Sequence, residues 1–192
     1  MQSKCERCGA FVPPYDTIHY GHVTKPETLC TACFNRETAR QMGLEIAEVN
    51  FEPITVSDAT GQPHVLQVRR RFCPTGQVVE AFEVTDGAPS GYQFGILGEA
   101  NAEPMALFAQ LYERIRRGLA RRHLVDGELG THLVFPGPVR GYISSDFDRD
   151  PEPLPVVVID GRELTWEEFG RMFLSFEGWQ FRMEIMDRTE EV

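Results

Sequence analysis

The stretch that decides the fold runs His64-Val65-Leu66-Gln67-Val68-Arg69-Arg70-Arg71-Phe72, then Cys73-Pro74-Thr75-Gly76-Gln77, then Val78-Val79-Glu80-Ala81-Phe82-Glu83-Val84. Two runs rich in β-branched and aromatic residues flank a segment holding Pro and Gly, which is the pattern of an antiparallel hairpin. With Phe72 opposite Val78 and a five-residue loop from Cys73 to Gln77, Arg70 faces Glu80, Val68 faces Phe82 and Leu66 faces Val84. Apolar positions then meet on one side of the sheet, as a half-buried hairpin requires. Similar runs at 49–56 and 91–97 lie on either side, set off by Thr60-Gly61-Gln62-Pro63 and Asp86-Gly87-Ala88-Pro89. An antiparallel meander is expected, with Pro53 confining the first strand to an edge or a bulge.

Helical spacing follows. Pro104 suits a first helical position, and Leu107, Phe108, Leu111, Tyr112, Ile115 and Leu119 form one apolar stripe, so a helix is expected over about 104–123. Residues 131–143 hold one or two strands broken by Pro136-Gly137-Pro138. Near the C-terminus, 156–159 is an apolar strand, Asp160-Gly161 a turn, and Thr165 with Glu168 a capping box opening a second helix. Trp166, Phe169, Met172, Phe173 and Phe176 line one face of that helix. Gly178 ends it, and the alternation of Trp179, Phe181, Met183 and Ile185 predicts a strand over 179–186. The fold class is α+β: a meander packed with two amphipathic helices over residues 44–192, behind a small cysteine-rich unit at 1–43 that closes at Gly43.

With 192 residues, 42% hydrophobic and 25% charged, the chain can bury a real core. Its longest apolar run, 105–109, is far short of the ~20 residues a membrane helix needs. No apolar leader follows Met1, so no membrane partner and a cytoplasmic setting are expected. The net charge of −10 disfavours a general nucleic-acid coat. It is uneven: residues 102–125 carry +3 while 140–192 carry −7. An acidic C-terminal region suits solubility and also a basic partner.

In that setting, five cysteines read as metal ligands before disulfides. Cys5-Glu6-Arg7-Cys8 and Cys30-Thr31-Ala32-Cys33 are two Cys-x2-Cys pairs separated by 21 residues. Two residues between cysteines let both sulfurs turn toward one point, and four thiolates close a tetrahedron around a zinc ion. Gly9 suits the tight turn of a knuckle, and the second pair opens a helix-compatible run over 36–42. Such a set leaves no open coordination position, so a structural rather than catalytic zinc is expected. His19 and His22 fall on the connecting hairpin, His19 partly packed and His22 exposed. Knuckle, hairpin, then a cysteine pair at a helix start resembles a treble-clef zinc finger over about residues 4–43, with Cys5, Cys8, Cys30 and Cys33 at the four ligand positions.

Other candidates are weaker. Arg69, Arg70 and Arg71 read as solvent-exposed side chains, Arg70 with Glu80 across the hairpin. Arg114, Arg117 and Arg121 cluster on one face of the long helix, a solvated face or a stripe for an anion, nucleic acid or partner. The acidic loop 146–152 lacks the glycine and closing glutamate of a calcium loop. Cys73 has no base assignable to it and reads as a free structural cysteine. No nucleophile elbow, phosphate loop or zinc-protease motif is present. The four-cysteine head, the meander and the segment Val156-Val157-Val158-Ile159 to Phe176-Glu177-Gly178-Trp179 resemble a group of bacterial α+β proteins of unknown function. That resemblance implies a bacterial cytoplasmic protein and carries no catalytic residue. The expected role is a non-enzymatic zinc-binding protein-interaction or regulatory module. The alternatives are nucleic-acid binding through the finger and the arginine stripe, and an enzyme with a cleft in the α+β domain.

Overall fold

A computed structural model describes residues 2–22, 24–128, 130–146, 154–187 and 189–190. The cysteine-rich head starts with the short pair β1 (Ser3–Lys4) and β2 (Phe11–Val12), followed by a 3-10 turn at Pro14–Asp16. Next come the hairpin β3 (Thr17–His22) and β4 (Lys25–Cys30) and the helix α1 (Thr31–Gln41). The helix stops at Gly43, whose φ of +69° most side chains resist. There Gly43 N–H donates to Arg40 O and Leu44 N–H to Ala39 O, satisfying carbonyls the last turn would leave open.

The meander follows as β5 (Ile54–Ser57), β6 (Pro63–Cys73), β7 (Gly76–Thr85) and β8 (Ala88–Gly98), hydrogen-bonded in that order and antiparallel. Pro53 has no N–H to give a ladder, and β5 begins just after it, on the sheet's edge. The helix α2 (Pro104–Leu119) lies on one face. Its Leu107, Leu111, Ile115 and Leu119 are buried against Leu66, Val79 and Ala81, contributing together about 6–12 kcal/mol of apolar burial. The Glu103 carboxylate accepts Ala106 N–H and caps the helix, which ends four residues before the expected His123.

The observed register corrects the expected one. The turn is two residues, not five: Cys73 pairs with Gly76, Phe72 with Gln77, Arg70 with Val79 and Arg69 with Glu80. The cause is that the sheet is covered on both faces. Leu66, Arg70 and Phe72 turn toward one side, while Arg69 and Phe82 on the other meet Tyr15 from the head's 3-10 turn, with Tyr15 and Phe82 rings 5.9 Å apart. When both faces carry apolar residues, alternation no longer distinguishes neighbouring registers.

The C-terminal part builds a third cluster. It holds the hairpin β9 (Leu124–Gly127) and β10 (Gly130–Leu133), then β11 (Tyr142–Asp146), β12 (Leu154–Ile159) and β13 (Arg162–Thr165) in the order β11-β12-β13. The capping box at Thr165 and Glu168 forms as expected and starts α3 (Trp166–Met172), continued by a 3-10 turn at Phe173–Phe176. Leu124, Leu133, Val157, Ile159, Leu164 and Met172 form the core here, and Asp160 ties it to the chain leaving α2 by accepting the N–H groups of His123 and Leu124. The strand expected over 179–186 is absent: these residues take no place in any sheet, because no strand of the described residues lies alongside to complete a ladder. Most of the acidic loop lies outside the described residues.

Candidate metal centre

Local geometry aims the sulfurs at one another. Between β1 and β2 the chain turns back on itself, Gly9 N–H donating to Cys5 O and Cys5 N–H to Ala10 O, so Cys5 and Cys8 flank a tight loop. Glu6 fastens that loop to β4: its N–H donates to Thr28 O at 2.9 Å and its carboxylate accepts Thr28 N–H at 2.5 Å. Cys30 is the residue before α1 and Cys33 lies in its first turn, so the partial positive charge of the helix start faces the thiols. The four sulfurs lie within 4.8 Å of one another, Cys8 and Cys30 at 3.8 Å. Among the described residues no other set of three or more Cys, His, Asp or Glu side chains comes close enough to share an ion. Cys5, Cys30 and Cys33 are buried and Cys8 is exposed. Leu29, Val12, Tyr20 and Phe34 pack around them.

Electrostatics at the cluster separate the thiols. Burial pushes the Cys5 thiol up, but the amides of Cys8, Cys30 and Arg7 turned toward its sulfur outweigh that and bring it down to about 6. Burial raises Cys30, and burial together with the neighbouring thiols pushes Cys33 up to about 12. The amides thus favour the thiolate at Cys5, while burial and the neighbouring thiols oppose it at Cys33. Arg36 donates to the Cys33 sulfur at 3.4 Å. Outside the cluster, Arg7 pairs with Glu27 at 2.9 Å and Glu37 at 3.0 Å, bracing the first knuckle against β4 and α1. His19 and His22 sit on the hairpin as expected, but both are exposed, because His19 points to the solvent side of β3.

A residue with no signature in the sequence joins this head to the meander. Asn35, buried on α1, donates from Nδ2 to Arg70 O at 2.8 Å and accepts Phe72 N–H at Oδ1 at 3.0 Å. Its amide thus takes the place of a neighbouring strand along β6, beyond the point where β5 stops pairing at Leu66. Nothing local in the sequence marks an amide as a surrogate strand.

The arginines are not a basic patch. Arg69 and Arg71 both donate to Glu80, at 2.8 and 2.7 Å, and Glu80 is only 2% exposed. Arg70 does not face Glu80. It is buried, donates to Ala47 O, and stacks over Phe72 at 5.0 Å. On α2, Arg114 turns onto backbone carbonyls, donating to Thr189 O at 3.0 Å and also to Gly95 O and Glu190 O. Arg117 and Arg121 stay exposed. Cys73 contacts Thr75 Oγ1 and Gly76 O, and among the described residues no histidine or carboxylate hydrogen-bonds to it.

One further cluster was not legible in advance. His64 lies between two carboxylates, with Nδ1 2.8 Å from Glu83 and Nε2 3.5 Å from Asp58, and its ring meets Tyr92 edge-on at 4.9 Å. Asp58 is held low, at about 2, chiefly by the Thr60 hydroxyl and also by the amides of Thr60 and Gln62. Burial, with Asp160 and the two carboxylates nearby, raises the Tyr92 hydroxyl. These contacts fix the turn before β6 onto β7. The expected pairing of Leu66 with Val84 sets Glu83 on the face opposite His64, and the observed register brings the two onto one face.

Three family models match consecutive parts of the chain, each described as a domain of unknown function: DUF7685 over residues 4–45, DUF7686 over 47–120 and DUF7713 over 123–190. These parts correspond to the three buried clusters, one around the cysteines, one between the meander and α2, and one beneath α3. No curated protein and no solved structure matches the chain. No helix of the described residues is long and apolar enough to cross a membrane.

Proposed function

We propose that the chain is a non-enzymatic, zinc-bearing interaction protein, its first forty-odd residues forming a treble-clef-like finger braced by Cys5, Cys8, Cys30 and Cys33. The observation that carries this reading is the sulfur spacing. A tetrahedron with zinc–sulfur arms of ~2.3 Å has edges of ~3.8 Å, and Cys8 and Cys30 stand 3.8 Å apart before any ion draws them in. Four thiolates fill the coordination shell, so the ion has no position for water or substrate and acts as a brace. The order of knuckle, hairpin and helix supports the treble-clef reading. Five free cysteines suit the reducing cytoplasm.

A protein partner fits better than a nucleic acid. The charge is −10 and Arg114, one of the three arginines of the stripe, is committed to backbone carbonyls. Phe11, 65% exposed on the finger's first hairpin, offers an apolar contact beside the metal. The test begins with elemental analysis of the purified chain, which should return close to one zinc per chain. The Cys30→Ser/Cys33→Ser variant should lose the zinc and the ordered head; a retained fold and full solubility would overturn the metal reading. Proteins captured with the zinc-loaded chain, then purified, should bind it directly and lose affinity for a Phe11→Ala variant. Turnover of a substrate with no direct protein binding would overturn the interaction reading.

A further inference from the structure

Residues 179–186 are Trp-Gln-Phe-Arg-Met-Glu-Ile-Met, alternating apolar and polar up to Ile185. Among the described residues, none of the backbone groups of residues 180–186 hydrogen-bonds to another backbone group. The apolar side chains stand in water, with Phe181 82%, Ile185 75% and Met183 56% exposed. Trp179 rests its ring on Phe135 and Phe176, at 5.2 and 6.0 Å, yet is itself 61% exposed. A segment patterned as a strand, anchored at Trp179 and again where Arg114 holds Thr189 O, and left without a ladder between, matches the unpaired edges through which chains associate.

We propose that residues 180–186 pair antiparallel with the same residues of a second copy, about a two-fold axis at Met183. Charge selects both the partner and the register. In this pairing Arg182 faces Glu184 of the other copy twice over, Phe181 faces Ile185, and the apolar residues share one face of the ribbon. Moving the axis to Arg182 sets arginine against arginine, and moving it to Glu184 sets glutamate against glutamate. Half-steps between these put polar side chains on the apolar face, and parallel in-register pairing opposes like charges at both positions. In the single chain Arg182 and Glu184 already pair with each other on one face, so association exchanges one such contact per copy for one across the axis.

The area is sufficient. Two strands alone are marginal in water, but Phe135, 57% exposed with its ring 5.2 Å from that of Trp179, extends the apolar face beside it. Phe135, Trp179, Phe181, Met183 and Ile185, each giving up on the order of 100 Å², supply roughly 500 Å² per copy, and a polar rim carries this toward the ~800 Å² of a stable interface.

Sedimentation velocity on the full chain tests this, across a concentration series. The natural sequence should run at twice the chain's mass. Arg182→Glu and Glu184→Arg should each weaken the dimer roughly tenfold, since two cross-strand attractions become repulsions. The combined R182E/E184R exchange should restore it, because opposite charges again face across the axis. An equimolar mixture of the two single variants should form a mixed dimer, which a contact within one chain does not produce. These side chains are exposed, so the variants keep the fold, and near-ultraviolet circular dichroism verifies that. A chain that stays monomeric to about 100 μM, a dimer indifferent to all three variants, or an exchange variant as weak as the single ones would overturn the proposal.

Discussion

Asn35→Ala removes an amide that does the work of a strand. The natural side chain gives one hydrogen bond to Arg70 O at 2.8 Å and takes one from Phe72 N–H at 3.0 Å, and it is 8% exposed. Alanine leaves a carbonyl and an N–H unpaired in a dry interface at about 1–3 kcal/mol each, so the loss should be about 2–4 kcal/mol once partial entry of water is allowed for. Total stability is typically about 5–15 kcal/mol, and for a chain of this length the shift corresponds to a melting point lower by roughly 6–12 °C. Asn35→Asp should be at least as damaging: it keeps an acceptor for Phe72 N–H but sets a carboxylate oxygen against Arg70 O. Urea unfolding of the metal-loaded chain, followed by tryptophan fluorescence, gives the free energy, and hydrogen exchange reports the Phe72 amide directly. A loss below about 0.5 kcal/mol, with Phe72 protection unchanged, would show that the amide is not what joins head and meander.

Gly91 has a φ of +54°, and a Cβ there would overlap the Glu83 carboxylate, which accepts Tyr92 N–H at 2.7 Å and sits 2.8 Å from His64 Nδ1. Gly91→Ala should cost about 1–3 kcal/mol and shift the His64 ring resonances; unchanged resonances would count against the clamp. Burial raises the Asp16 carboxyl above its usual 3.8, against smaller lowering by the Thr31 hydroxyl and Arg69. A folded state that holds this proton longer than the unfolded one loses stability as pH rises through the window above 3.8, and the deficit persists at neutral pH. Asp16→Asn should therefore be more stable than the natural chain near pH 7 and equal to it near pH 3; equal urea midpoints at both would refute this.

Element types were legible wherever the signal was local. Thr165 and Glu168 lie three residues apart, so their capping box needs no distant partner, and Leu107, Leu111, Ile115 and Leu119 declare one helix face by spacing alone. The four sulfurs were legible for the same reason, each pair being bridged by a two-residue turn. The register of β6 on β7 was not, because Tyr15 from a distant turn covers the face that alternation assigned to solvent. Arg70 followed the same error, as burial without a carboxylate partner is rare enough that exposure is the better expectation.

Trp179 to Ile185 mark the boundary most clearly: alternation specified a strand, and the folded chain offers no strand beside it. By itself the sequence determined the two Cys-x2-Cys pairs, the apolar face of α2 and the capping box of α3, since those follow from contacts a few residues apart. Only the tertiary structure decided that Asn35 seals β6, that Glu80 holds Arg69 and Arg71, and that Arg114 holds the segment around Thr189. Each joins groups distant in sequence, and their hydrogen bonds exist only after packing has excluded water from between them.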